Sequence, residues 1–179
     1  MQFYFAIVAF GVNLFNSQPN VKIKQSNIDL IYSMAEAIDN VTDEPWEIET
    51  LTKIGWLESG YNPNVANCKI KNSFGARGLF QIVPRDKKEY IISCSNNLEE
   101  QAELALSRIR ESKLICGRMG VGGADMLSLY TSGFPCFKNN KWSRHRYGDG
   151  NKINEYAYAY ASKSVFLFGM KLLSANNDK

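Results

Sequence analysis

The chain has 179 residues, and 21 Lys+Arg against 18 Asp+Glu leave a net charge of +3. That length fits one domain, which buries roughly 70% of its unfolded surface and needs no staple to own a core. Hydrophobic residues at 45% and charged residues at 22% exclude collagen, an extended coiled coil and an intrinsically disordered chain, and so small a charge imbalance gives no argument for nucleic-acid binding.

The chain opens on an uninterrupted apolar run over residues 3–12, continued by Leu14 and Phe15. A helix needs about 20 residues to span a bilayer, so this run is too short. It has the length of a signal-peptide apolar core. No Lys or Arg precedes it, and Phe15 spoils a small-x-small cleavage site before Ser17. Residues 1–17 read as a signal peptide or apolar leader, with a first core segment of the fold as the other reading. Residues 18–25 read as a polar linker and 26–175 as a single domain.

From there the periodicity is helical nearly throughout. Residues 27–39 place Ile28, Ile31, Ala35 and Ile38 on one face, with Ser26 as the expected N-cap. Residues 45–59 form a second helix, because Pro45 suits a first turn and Gly60-Tyr61-Asn62-Pro63 stops it. Only 79–84 and 90–94 have the look of short strands. Residues 97–115 carry a stripe of Leu98, Ala102, Ala105 and Ile109. The glycines at 117, 120, 122 and 123 miss dinucleotide spacing, since Asp125 stands where the last glycine belongs. Helices over 123–132 and 153–173 complete the chain. The fold class is mainly α, with at most a short β or irregular segment around 79–94.

The one histidine, His145, removes whole classes of chemistry. Zinc sites that need two or three histidines cannot be built within one chain. A Ser-His-Asp or Cys-His system would have to use His145, which lies in a basic loop with no nucleophile motif. That loop, residues 138–147, mixes bases with aromatics such as Trp142. With no nucleic-acid fold motif beside it, it reads as a solvated loop drawn to an anionic surface. Cys68, Cys94, Cys116 and Cys136 form no C-x-x-C pair. An even count without metal spacing points to two disulfides and an oxidising compartment. Three connectivities are open; Cys68 with Cys94 and Cys116 with Cys136 are the expected pairs.

One carboxylate stands out of place. Leu51, Ile54 and Glu58 fall at i, i+3 and i+7 of the second helix, which puts Glu58 on its apolar face at its C-terminal end. Desolvation and the negative end of the helix dipole both favour the protonated carboxyl there. A carboxyl held protonated can give its proton to a leaving oxygen. Periodicity alone sets this reading level with that of a surface glutamate.

The surrounding residues add a second line of argument. The chain reads Trp56-Leu57-Glu58-Ser59-Gly60-Tyr61-Asn62-Pro63, then Ser73-Phe74-Gly75-Ala76-Arg77-Gly78-Leu79-Phe80-Gln81, then Leu129-Tyr130-Thr131-Ser132-Gly133. This order resembles the soluble lytic transglycosylase family, whose lysozyme-like (goose-type) catalytic domain carries an E-S, a G-L-M-Q and an A-Y-N-x-G motif. The resemblance covers roughly residues 26–170. Phe80 replaces the usual Met, Leu129 the usual Ala and Thr131 the usual Asn, and the spacing from Glu58 to Gln81 is longer than usual.

The resemblance implies that Glu58 is the catalytic acid and base. Ser59 would help set the helix end, and Ser73 would face the substrate N-acetyl group or Glu58. Gly78 would let the backbone approach the sugar, and Gln81 would hydrogen-bond it. Tyr130 would line the cleft. A further tyrosine belongs to the last helix, where Tyr156 and Tyr160 share a face and Tyr158 does not. Core packing is the competing account of all three. Trp56, Tyr61, Phe74, Phe80, Tyr130 and Trp142 are the available aromatic faces for sugar.

The implied activity is peptidoglycan cleavage at the β-1,4 bond between N-acetylmuramic acid and N-acetylglucosamine, leaving a 1,6-anhydro sugar. No cofactor and no metal is implied, and the partner is the glycan strand. The chain would be exported, periplasmic, extracellular or virion-associated, and monomeric, with service in wall turnover, a secretion or conjugation apparatus, or a phage all open. Two other functions compete: a muramidase that hydrolyses the same bond, and a wall-binding or assembly module with a dead site. A second carboxylate, as ordinary glycosidases use, has Asp86 as its nearest candidate.

Overall fold

The computed structural model describes residues 3–16, 22–70, 74–120 and 130. Six helices follow in order: α1 (Tyr4–Asn16), α2 (Gln25–Val41), α3 (Pro45–Ser59), α4 (Pro63–Ala66), α5 (Lys87–Ile92) and α6 (Leu98–Arg118). The described part is mainly α. Its only β feature is one isolated antiparallel bridge, Arg77 with Ile82. Helix α2 is the centre and touches α1, α3, α4 and α6. Among the described residues no helix is long and apolar enough to cross a membrane.

Helix α1 is part of the core. Phe3, Ile7, Phe10, Leu14 and Phe15 are all buried, at about 1.5–3 kcal/mol for each large side chain. Gly11 makes the contact with α2 close: a Cβ there would stand 2.9 Å from Ile31 Cγ2. The Phe3 N–H donates to Asp39 Oδ1 at 2.7 Å, so α2 supplies a carboxylate to the α1 N-terminus. Over Tyr4–Asn16, then, the segment read as a leader is a helix seated on α2 and α3.

Helix α2 buries Ile31, Met34, Ala35, Ala37 and Ile38. It starts at Gln25, inside the stretch expected as linker, and its cap is Lys24 instead of Ser26. The Lys24 N–H donates to Asn27 Oδ1 at 3.1 Å. A longer asparagine side chain at the third helical position reaches back to the cap, which the exposed Ser26 does not. Helix α3 runs over the expected 45–59, with Pro45 in its first turn and Gly60 in the left-handed conformation (φ 58°) at its end.

The expected strand at 90–94 is instead the end of a helix, over residues 90–92, and a turn. Asp86 Oδ1 accepts from the Glu89 N–H at 2.9 Å, and Glu89 Oε2 accepts from the Arg85 N–H at 2.7 Å. The Asp86 cap, with Glu89 reaching back to Arg85 just before it, starts α5 and overrides the local β preference of Ile91 and Ile92. Helix α6 closes the bundle. Its Arg108 pairs with Glu89 and Glu111, and its Arg110 holds Glu47 of α3 through two bonds of 2.7 and 2.8 Å. Cys68 and Cys94 form a disulfide, joining the residues after α4 to those after α5. Cys116 is also disulfide-bonded; Cys136 lies outside the described residues.

Candidate active site

The end of α3 is built to turn sharply. Ser59 Oγ donates to Gly55 O at 2.6 Å and accepts from the Tyr61 N–H at 3.1 Å. The Gly60 N–H donates to Trp56 O at 2.7 Å. Ser59 is thus buried and engaged with the helix end itself. Beyond it Tyr61 is fully buried with a positive φ of 49°. Its hydroxyl donates to Thr52 O at 2.5 Å and its carbonyl accepts from Asn27 Nδ2 at 2.9 Å. Burial pushes the Tyr61 phenol well above its usual value of 10.0. Phe15 and Trp56 stack edge-on at 4.7 Å, and Trp56 meets Tyr61 at 5.5 Å. These aromatics brace the last turn of α3, where Glu58 is half-buried.

The turn over 78–81 lies beside this helix. Arg77 and Ile82 exchange two backbone bonds of 3.0 Å each, and the loop between them carries Gly78, Leu79, Phe80 and Gln81. Phe80 is buried against α3: its Cε1 stands 3.6 Å from where a Cβ on Gly55 would be. Gly55 precedes Glu58 by one turn of the helix. The Tyr130 hydroxyl donates to Phe80 O at 2.7 Å. The structure therefore brings α3, the helix that carries Glu58, to the 78–81 turn through Gly55, and Tyr130 to the same turn through Phe80 O, although Gly55 and Tyr130 are 75 positions apart in the chain.

Two expected site residues have local duties. Gly78 (φ 73°) is buried, and a Cβ there would fall 1.9 Å from Ser93 O and 2.5 Å from Gln101 Oε1. The close approach that this glycine permits is to the chain's own backbone, where the sequence reading assigned it to sugar. Gln81 is half-buried with φ 47°, and its Nε2 donates to Gly78 O at 2.9 Å. That bond helps hold a non-glycine residue in the left-handed region.

Among the aromatic candidates Trp56, Tyr61 and Phe80 are core, whereas Phe74 is 85% exposed. Asp86, the candidate second carboxylate, is the exposed cap of α5. Ser73, Trp142, His145, Tyr156, Tyr158 and Tyr160 lie outside the described residues. Among the described residues no group of three or more His, Cys, Asp or Glu could hold a metal ion. A groove of about 430 Å³ runs between α2, α4 and the start of α6, lined by Ser33, Asn40, Asn67, Asn97 and Glu99 among others. Of the three quoted motif stretches only Pro63 is in its lining; Glu58, Gln81 and Tyr130 are not.

Sequence reasoning missed Gln101. It is 1% exposed, and its carboxamide bonds to the 78–81 turn. Its signal was available: Gln101 stands three after Leu98 and four before Ala105, a polar residue on the buried stripe. Comparison with family models, with curated proteins and with solved structures finds no match.

Proposed function

We propose that the chain is a peptidoglycan lytic transglycosylase with a lysozyme-like α-domain, and that Glu58 is its acid and base. The observation that carries this reading is the convergence on Phe80. Motifs that serve one site have to be brought together by the fold. Here α3, whose last turn carries Glu58, the Gly78-to-Gln81 turn and Tyr130 meet there.

In the reaction Glu58 gives its proton to the glycosidic oxygen between N-acetylmuramic acid and N-acetylglucosamine. The C1–O bond breaks and positive charge develops at C1. The C6 hydroxyl of the same muramic sugar closes on C1, and Glu58 takes the proton that this hydroxyl releases. The carboxyl returns to its starting state, the product carries a 1,6-anhydro ring, and no water is consumed. One acidic side chain is enough for such a cycle. An oxidising, exported location is supported by the Cys68–Cys94 disulfide and the bonded Cys116.

Two measurements test the reading. Mass spectrometry of digested sacculi is expected to show anhydro-muramic ends; reducing ends would make the chain a hydrolase. Glu58→Gln is expected to lower wall clearing by at least about a thousandfold with the helical circular dichroism unchanged. Clearing by that variant at the wild-type rate removes Glu58 from its role.

A further inference from the structure

Gln101, in the first turn of α6, is tied at both ends of its carboxamide. Oε1 accepts from the Leu79 N–H at 2.8 Å; Nε2 donates to Ser95 O at 2.7 Å and to Ala66 O at 3.4 Å. One buried side chain thereby joins the end of α4, the 78–81 turn and the loop between α5 and α6. The turn has cause to need it. Gln81 sits at positive φ, which costs about 1–3 kcal/mol and persists only where neighbours impose it. Gly78 lies tight against Gln101 Oε1 and Ser93 O, so the turn has little room on that side.

We infer that Gln101 is a positioning residue: through the Leu79 N–H it fixes the 78–81 turn on α6, and so sets where that turn, with Gln81 at its end, meets the glycan. This rests on the function proposed above and adds to it a residue that touches no substrate.

The test is Gln101→Glu, which keeps the shape and changes only the hydrogen-bonding set. Protonated, the introduced carboxyl retains an acceptor for Leu79 and a donor for Ser95 O. Ionised, it has no donor and faces two carbonyls. Burial favours the protonated form. The variant is therefore expected to bind a chitin oligosaccharide and cut sacculi nearly as the wild type does at low pH, and about tenfold less well as pH rises. Exchange of the Leu79 amide hydrogen is expected to quicken over the same pH interval. Glu99 and Glu100 on α6, Lys69 beyond α4 and Arg77 beside Cys94 are the same in both chains, so the difference between the two profiles belongs to position 101.

Gln101→Met is the second variant. It removes all three bonds at similar volume, and its melting curve shows whether it folds. Oligosaccharide affinity about tenfold below the wild type is expected from the folded variant. Wild-type pH profiles and Leu79 exchange in Gln101→Glu, with full affinity in Gln101→Met, would overturn the inference. A wild-type chain that neither binds nor cuts glycan overturns the functional reading itself, and is seen before either variant is made.

Discussion

Glu47 shows what a single buried carboxylate does in this protein. Its side chain is 4% exposed and accepts two bonds from Arg110 of α6 and one from the Thr42 hydroxyl. The Arg110 bond, then the Thr42 bond and the nearby positive charges, outweigh desolvation and hold the carboxyl below its ordinary 4.5. A depressed acid contributes stability that is full above the unfolded value and is lost as pH falls through the folded one. The melting temperature is thus expected to fall below about pH 4. Glu47→Gln is expected to cost about 1–2 kcal/mol at pH 7, Arg110 being half-exposed and free to turn to solvent. Thermal melts of both chains check this, since the gap between them is expected to close in acid. Neither Glu47 nor Gln101 was legible as a partner, because the Arg110 and Leu79 groups they serve are 63 and 22 positions away. Sequence periodicity shows a polar residue on a buried stripe; it does not show what that residue reaches.

At the scale of elements, α1 is the most exposed to test. Gly11 has no space for a side chain against Ile31. Gly11→Val is expected to overpack that contact at about 1–3 kcal/mol, lowering the melting temperature by roughly 3–10 °C. An unchanged melt would show that α1 does not hold this seat in solution. The helix ends divide into legible and illegible ones for a physical reason. The ends of α3 were written in local chemistry, Pro45 at one and Gly60 at the other. Helix α5 was missed because Ile91 and Ile92 favour strands, while the Asp86 and Glu89 caps that decide the matter lie upstream. The run over residues 3–12 was legible as apolar, but an apolar run looks the same whether it is a leader or a core helix. What marks a core helix is a partner face, and the Gly11→Val melt tests the one that α1 makes with Ile31. In the candidate site the glutamate, the glutamine turn and the tyrosine could be found from motifs. That Gly78 abuts Ser93 could not.

For the whole molecule, the Cys68–Cys94 bridge closes a loop across 26 positions that contains the 78–81 turn. Closing a loop of that length stabilises by about 3–4 kcal/mol in the chain-entropy account. A reductant is therefore expected to lower the melting temperature by roughly 10 °C. Equal melts with and without reductant would count against the bridge as a structural tie. Tyr61 gives the folded state a reporter of its own. Its phenol is enclosed by Trp56, Phe15 and the α3 backbone, so ionising it requires that this enclosure open. In alkaline solution an ultraviolet titration should then leave Tyr61 dark until the helices part, its late absorbance step marking collapse of the native assembly.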